Sequence, residues 1–196
     1  IIPHVGSLPR HGLKMQQCWE PCAHRGYMVL PLKEYFRDVV ASDIHDYGLG
    51  YPQHDFLMPF APTQQAVVND WIITNPPFRL ALDIIKRGIE VATVGVAVLV
   101  RSAFEEGIDR YEQLFQQLPP TLMGVFTERV IMHKGVLRDP SKMYFDEATG
   151  TMKRPSTATS YKWMVWIEGM SPRPQIWIPP CRRALERPSD YPEIAV

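Results

Sequence analysis

Four consecutive residues, Asn75-Pro76-Pro77-Phe78, carry the most specific chemical pattern in the chain. A mere connector would turn more easily on Gly, Asp or Ser. A side-chain amide oxygen and a neighbouring main-chain carbonyl can both accept from a planar exocyclic amine, such as that of a purine. Accepting both N–H bonds favours a tetrahedral nitrogen and localises a lone pair otherwise delocalised into the ring. Pro76 and Pro77 fix φ at roughly −65° and so hold those acceptors where charge develops. Phe78 offers a ring on which a base can stack. In a chain with 19 prolines a Pro-Pro pair is also ordinary punctuation. The β-branched run before it and the helical pattern after it favour the chemical reading.

Two earlier loops carry polar groups suited to a nucleotide-like cofactor. In "WEPCAHRGYM" (19–28), Ala23 and Gly26 supply small positions just before a helix N-terminus, whose free N–H groups favour anionic or polar ligands. A simple strand-to-helix turn has the same composition. Asp43 ends the apolar run "VVASD", about two dozen residues further on. An acid there can accept from both hydroxyls of a ribose; a turn cap is the plain alternative. Asp55, followed by Phe56, adds an acceptor and an aromatic face suited to a purine, or serves only as a turn residue.

These loops need elements to position them. Strands are predicted at Gln17–Glu20, over "DVVASD" (38–43), briefly within "HDFLMPF" (54–60), and at Asp70–Thr74. Later strands are predicted over "GVAVLVRSAF" (95–104), "TLMGVFTERV" (121–130) and "KWMVWIEG" (162–169). Helices are predicted within "YMVLPLKEYF" (27–36), over "RLALDIIKRGIEVA" (79–92) and over "GIDRYEQLFQQL" (107–118). In the second of these, Leu80, Ile84, Ile85 and Ile89 share one face. Alternating strands and helices argue for a mainly parallel α/β sheet with helices on both faces. Ligands bind such sheets outside the carboxyl ends of the strands. The chain reads as a single domain over 1–196, with a loop insertion at about 129–160 and an irregular tail after 168.

Lys and Arg balance Asp and Glu at 21 each, so no overall field draws nucleic acid or membrane, and any basic surface must be local. The longest unbroken apolar run, Val96–Val100, is far short of the roughly 20 residues a membrane helix needs. The opening "IIPHVGSLPRHG" shows no charged segment followed by an apolar one, so no signal peptide is expected. Three scattered cysteines suggest a reduced, cytoplasmic setting. Cys18, Cys22 and His24 lack the second ligand pair of a structural zinc site, so no metal is expected.

With these loops in this order, the chain resembles the S-adenosylmethionine-dependent N6-adenine DNA methyltransferases, in particular small ones often encoded by phages. The resemblance rests on Asn75-Pro76-Pro77-Phe78 after "DWIIT", supported by "WEPCAHRG", "VVASD", "HDF", "GVAVLVRSAFEEG" and "YKWMVW", over roughly 19–167. It implies a Rossmann-like class I methyltransferase fold with a seven-stranded sheet, S-adenosylmethionine as cofactor, and methyl transfer to adenine N6. By position, Glu20, Pro21, Ala23 and Gly26 would cradle the methionine part of the cofactor. Asp43 would hold its ribose, and Ile44, Asp55 and Phe56 its adenine. Asn75 and Pro76 would hold the target amine beside the sulfonium methyl, Asn75 also lining the cofactor site, Pro77 would stiffen the turn, and Phe78 would stack on the target base. The family's cofactor loop usually carries two or more glycines, and here there is one.

No room separates the cofactor and catalytic motifs for a target-recognition domain. Nucleic acid would then be gripped by Arg129, His133, Lys134, Arg138, Lys142, Lys153 and Arg154 in the insertion, with Arg173, Arg182, Arg183 and Arg187 in the tail. Loops of this kind hold phosphates more than they read bases, so short recognition or a protein partner is expected. The same motif chemistry suits adenine in RNA or a glutamine amide in protein. A methyltransferase fold that only binds is a further alternative. A bacterial or phage-infected cytoplasm is the expected setting.

Overall fold

A computed structural model of the chain describes residues 10–59, 69–132 and 137–191. A first helical turn, α1 (Arg10–Leu13), leads into strand β1 (Gln17–Glu20), the short helix α2 (Val29–Leu32) and β2 (Asp38–Ala41). Then come β3 (Asn69–Thr74), the helix α3 (Ala81–Val91) and the long strand β4 (Ala92–Arg101). A three-residue α4 (Ile108–Arg110) precedes β5 (Leu122–Phe126), the hairpin strands β6 (Tyr144–Asp146) and β7 (Thr151–Lys153), and β8 (Tyr161–Ile167). Strand β9 (Ile176–Ile178) and the short α5 (Arg182–Leu185) close the described chain.

Seven strands form one sheet in the order β2-β1-β3-β4-β8-β5-β9. Strands β2, β1, β3 and β4 are mutually parallel, β8 runs antiparallel between β4 and β5, and β9 pairs parallel with β5. The centre of the sheet is covered on both faces, which is why β4 reads as a continuous apolar run and is buried from Gly95 to Val100. On one face Ile72, Val96, Val98 and Val100 pack with Ala81, Ile84 and Ile85 of α3 and with Leu114. On the other, Cys18, Trp71, Ile73 and Ala97 pack with Leu13, Leu32 and Phe36 from the α1 and α2 segments. The period-two alternation of neighbouring residues between these clusters is what a two-sided core demands.

Three expectations differ in detail. The helix expected over 107–118 begins as α4 and widens into a π-helical turn at Tyr111–Phe115, where the Gln116 amide donates to the Tyr111 carbonyl at 2.9 Å. The wider turn lets consecutive apolar residues, Leu114 and Phe115, both pack against the core. The strand expected within 54–60 is absent among its described residues, 54–59; only an isolated bridge joins Asp43 to Gln53. Its chain is taken instead by an Asx turn, in which the Asp55 carboxylate accepts from the Leu57 amide at 3.0 Å. Phe60 lies outside the described residues. The tail after 168 is not wholly irregular, since it supplies β9, the last strand of the sheet.

Gly95 shows how closely the strands approach. A Cβ there would lie 2.6 Å from the Trp166 carbonyl oxygen and 2.7 Å from the Trp71 ring. Neither backbone nor a ring wedged in the core can retreat easily. Gly95→Ala is expected to lower stability by about 2 kcal/mol, read as a shift in the urea unfolding midpoint with unchanged slope.

Candidate functional site

The chain runs from β1 outward to β2, then crosses back to β3 on the other side of β1. That reversal makes a crevice at the carboxyl ends of β1 and β3, the place where open α/β sheets bind ligands. All three motif loops empty there: 20–26 after β1, Asp43 just past β2, and 75–78 after β3.

The loop after β1 is stitched to the end of β2. The Ser42 amide donates to the Glu20 carbonyl at 3.1 Å, the Ala23 amide to the Ser42 carbonyl at 2.9 Å, and the His24 amide to the Asp43 carboxylate at 2.9 Å. The Trp19 indole donates to the Ser42 hydroxyl at 2.9 Å. The other Asp43 oxygen accepts from the His45 amide at 3.0 Å. Asp43 thus fixes the loop at the edge of the crevice, and each oxygen keeps a further lone pair. His24 and Gly26 both hold positive φ, 47° and 76°, and Gly26 lies under the Tyr51 hydroxyl, which would be 2.5 Å from a Cβ. Gly26→Ala would therefore strain the backbone and displace Tyr51, lowering stability by about 1 kcal/mol, measurable as a fall in melting temperature.

Beneath this loop lies a buried acid. Glu20 is 1% exposed, and burial, helped by the charge on Asp43, pushes its carboxyl up to about 8. It is therefore mostly protonated at neutral pH. The Cys22 amide donates to it at 3.0 Å. The Cys22 thiol is pushed up to about 12, first by burial and then by the acids Glu20, Asp43 and Asp55, all within electrostatic reach of it. The Thr74 hydroxyl stands beside Glu20 and Cys22, yet it is buried with no hydrogen bond of good geometry. Pro21 and Ala23 are buried in the loop, and Ile44 is half exposed beside Asp43. Asp55 is partly buried, and Phe56 sits in the core, its ring edge-on to Trp19 at 5.0 Å. Phe56 is 4% exposed, so it supports the crevice from below and offers little surface to a ligand.

In the motif after β3, Pro76 is buried while Asn75 stays exposed at the rim, so the proline anchors what the asparagine presents. Pro77 turns the chain into α3, its carbonyl accepting from the Leu80 amide at 2.9 Å. The Arg101 guanidinium lies 4.4 Å from the centroid of the Phe78 ring, and Tyr161 approaches at 6.0 Å. Arg101 ends β4 and pairs with Tyr161 at the start of β8, which brings both to the motif. Neither they nor Thr74 belong to a pattern visible in sequence. Their role follows from the strand register, which carries Thr74 and Val98 side by side and so ends β4 next to the motif.

The insertion leaves β5 at Phe126 and returns at Tyr161, on the same edge of the sheet as the motif loops. Arg129 donates to the Thr157 carbonyl at 2.8 Å, and Arg138 lies 5.0 Å over the Tyr144 ring. Lys153 pairs with Asp146 at 3.0 Å across the β6–β7 hairpin, and Arg154 is exposed. In the tail Arg182 pairs with Glu128 and Glu186, and Arg187 with Glu34. His133 and Lys134 lie outside the described residues. The described residues contain no cluster of three or more His, Cys, Asp or Glu arranged to hold a metal ion. None of their helices is long and apolar enough to cross a membrane.

No protein-family model and no curated protein matches the chain. Among solved structures, one described as a "putative hemolysin" from Lactococcus lactis superposes with a TM-score of 0.51 at 12% identity, over 87% of this chain and 93% of its own. An O-methyltransferase assigned by prediction, from Agrobacterium tumefaciens, gives 0.49 at 10% identity, over 86% and 80%. A 23S rRNA methyltransferase gives 0.44 at 12%, over 81% and 64%. At such identities the likeness is one of fold. The sheet, mostly parallel with one antiparallel strand inserted and helices on both faces, is that of a Rossmann-like class I methyltransferase.

Proposed function

We propose that the chain transfers a methyl group from S-adenosylmethionine to the exocyclic N6 amine of adenine in DNA. The observation that carries this reading is the placement of Asn75-Pro76-Pro77-Phe78 directly after β3, one strand from the acidic loop after β1, at the crevice where the strand order reverses.

The residues around that crevice fit the cofactor. Asp43 and Asp55 bring negative charge near Cys22, and Glu20 adds a buried carboxyl that a bound sulfonium or ammonium would draw toward ionisation. Asp43 has lone pairs left for a ribose diol, and the buried Thr74 hydroxyl, beside Glu20 and Cys22, makes no hydrogen bond of good geometry. Bound S-adenosylmethionine supplies an electrophilic methyl group and a neutral thioether leaving group. What remains for the chain is orientation. Asn75, exposed at the rim, would offer its amide oxygen, and the Pro76 carbonyl, fixed by the buried ring, would be the second acceptor for the amine. Accepting both N–H bonds makes the nitrogen lone pair available along the line of transfer and stabilises the positive charge that grows on it.

Phe78 provides a stacking face for an extruded base, and Arg101, already over that ring, moves with it or contacts the base edge. An adenine in a duplex must leave the stack, at a cost of a few kcal/mol. Recognition falls to the insertion on the same edge, with help from a protein partner if the target is longer than this short segment can read.

Nucleoside mass spectrometry of unmethylated DNA incubated with the protein and S-adenosylmethionine tests the reading. N6-methyldeoxyadenosine is expected as the methylated nucleoside. Methylcytosine alone would overturn it.

A further inference from the structure

Where β5 and β9 end, the insertion and the tail enclose a pocket of about 230 Å³. Its walls are largely apolar, with Phe126, Ile131 and Leu137 among them, and three arginines also line it: Arg129, Arg138 and Arg182. Sites for drug-sized ligands occupy about 300–1,000 Å³, so this one suits a single flat ring. The catalytic motif does not use it.

The pocket is built rather than incidental. Arg182 fixes the tail to the end of β5, its main-chain and side-chain N–H groups both donating to the Glu128 carboxylate, at 3.2 and 3.4 Å. The Thr127 hydroxyl and amide both donate to the Ile178 carbonyl, at 2.7 and 3.0 Å, and lock β5 to β9. On the insertion side, the Asp139 amide donates to the Tyr144 hydroxyl at 2.9 Å, while Arg138 stacks over the same ring. Glu128 is the only acid among the described lining residues, and both of its oxygens are engaged by Arg182. The charge balance of the described lining residues is therefore positive. Each arginine has five N–H donors, so Arg129 and Arg138 keep several beyond the contacts above.

The pocket opens on the same edge of the sheet as the catalytic motif, three strands from β3 in the order β3-β4-β8-β5. Strand spacing makes that separation about 14 Å. Stacked bases along one strand rise about 3.4 Å each, so a strand whose adenine sits at Asn75 passes the pocket within a few nucleotides. Resting on the function proposed above, we propose that the pocket receives one base of that strand, close to the target adenine. The apolar walls would hold its ring, and Arg129 and Arg138 would take acceptor atoms on its edge or the adjoining phosphate. Guanine, with two acceptors side by side, is the best complement to an arginine fork. The insertion then reads sequence at one position as well as holding phosphates.

Fluorescence anisotropy of labelled single-stranded DNA carrying one adenine tests this, with an abasic site placed at each neighbouring position in turn. For the wild-type chain, one position within a few nucleotides of the adenine is expected to weaken binding roughly tenfold or more when its base is removed. Ile131→Trp, which fills the pocket, and Arg138→Gln, which alters only its lining, should each weaken binding to intact DNA and abolish that sensitivity. Unfolding midpoints verify that both variants fold, and the second keeps the test valid if the first does not. Wild-type binding equally tolerant of every abasic position, or sensitivity that survives in a folded variant, overturns the pocket assignment and leaves the proposed function standing. Failure of the wild-type chain to bind any of these strands overturns both.

Discussion

Asn75→Ala is expected to reduce methyl transfer to DNA by roughly a hundredfold to a thousandfold while leaving the affinity for S-adenosylmethionine within a few-fold of wild type. The separation follows from position. Asn75 is exposed at the rim beyond β3, whereas the acids proposed to hold the cofactor lie on the loop after β1 and near the end of β2. The variant loses an acceptor that matters only as positive charge grows on the amine, so it should lower kcat more than it raises KM for DNA. Asn75→Asp retains an acceptor oxygen at the same reach and is expected to keep more activity than alanine. Single-turnover transfer together with calorimetric cofactor binding reads both quantities. An alanine variant with unaltered turnover would remove Asn75 from the reaction.

The second large effect concerns Glu20. Its carboxyl is held at about 8 by burial, against the value near 4.3 of an unfolded chain. The folded state therefore retains a proton that the unfolded state has lost. Stability linked to this group is fully present below the unfolded value and is lost as pH rises to about 8, at up to about 1.4 kcal/mol per pH unit. Glu20→Gln mimics the protonated acid and removes this slope. Urea unfolding from pH 5 to pH 9 should show wild type losing stability relative to the variant, which becomes the more stable of the two at pH 9. Ligand binding supplies an independent readout. A cation seated over Glu20 favours its ionised form, so S-adenosylmethionine should bind wild type more tightly as pH rises from 6 to 8, with proton release visible as a buffer-dependent calorimetric heat. In Glu20→Gln that proton release should vanish.

The parts of the fold governed by local pattern were legible in the chain. Gln17–Glu20 forms β1 with those boundaries, and the apolar "DWIIT" forms all but the first residue of β3. The face of α3 bearing Ile84 and Ile85 is the one that meets the sheet. What escaped the pattern depends on contacts remote in sequence. Strand β9 is three residues long and is held by pairing with β5, some fifty residues earlier. The π-helical turn after α4 answers to the shape of the core around Leu114 and Phe115, which helix periodicity does not encode. Asp55 ends in an Asx turn, because a carboxylate two residues from an amide competes directly with strand pairing.

The site divides in the same way. The motif loops could be ordered along the sequence because each follows a strand, and the structure places them at one crevice. The proton held by Glu20 could not be foreseen, since it arises from burial at the end of β1, between β2 and β3. Phe56 shows the reverse, an aromatic residue that composition offered to a ligand and that packing against Trp19 takes into the core. Arg101 reaches Phe78 through register alone.

The identity of the accepting nitrogen defines the reaction. Radiolabelled S-adenosylmethionine offered to unmethylated genomic DNA, total RNA and whole-cell protein in parallel tests it most directly. Label is expected in the DNA, recovered as N6-methyladenine and lost with Asn75→Ala. Label confined to RNA or protein, or no label in any pool despite measurable cofactor binding, would contradict it.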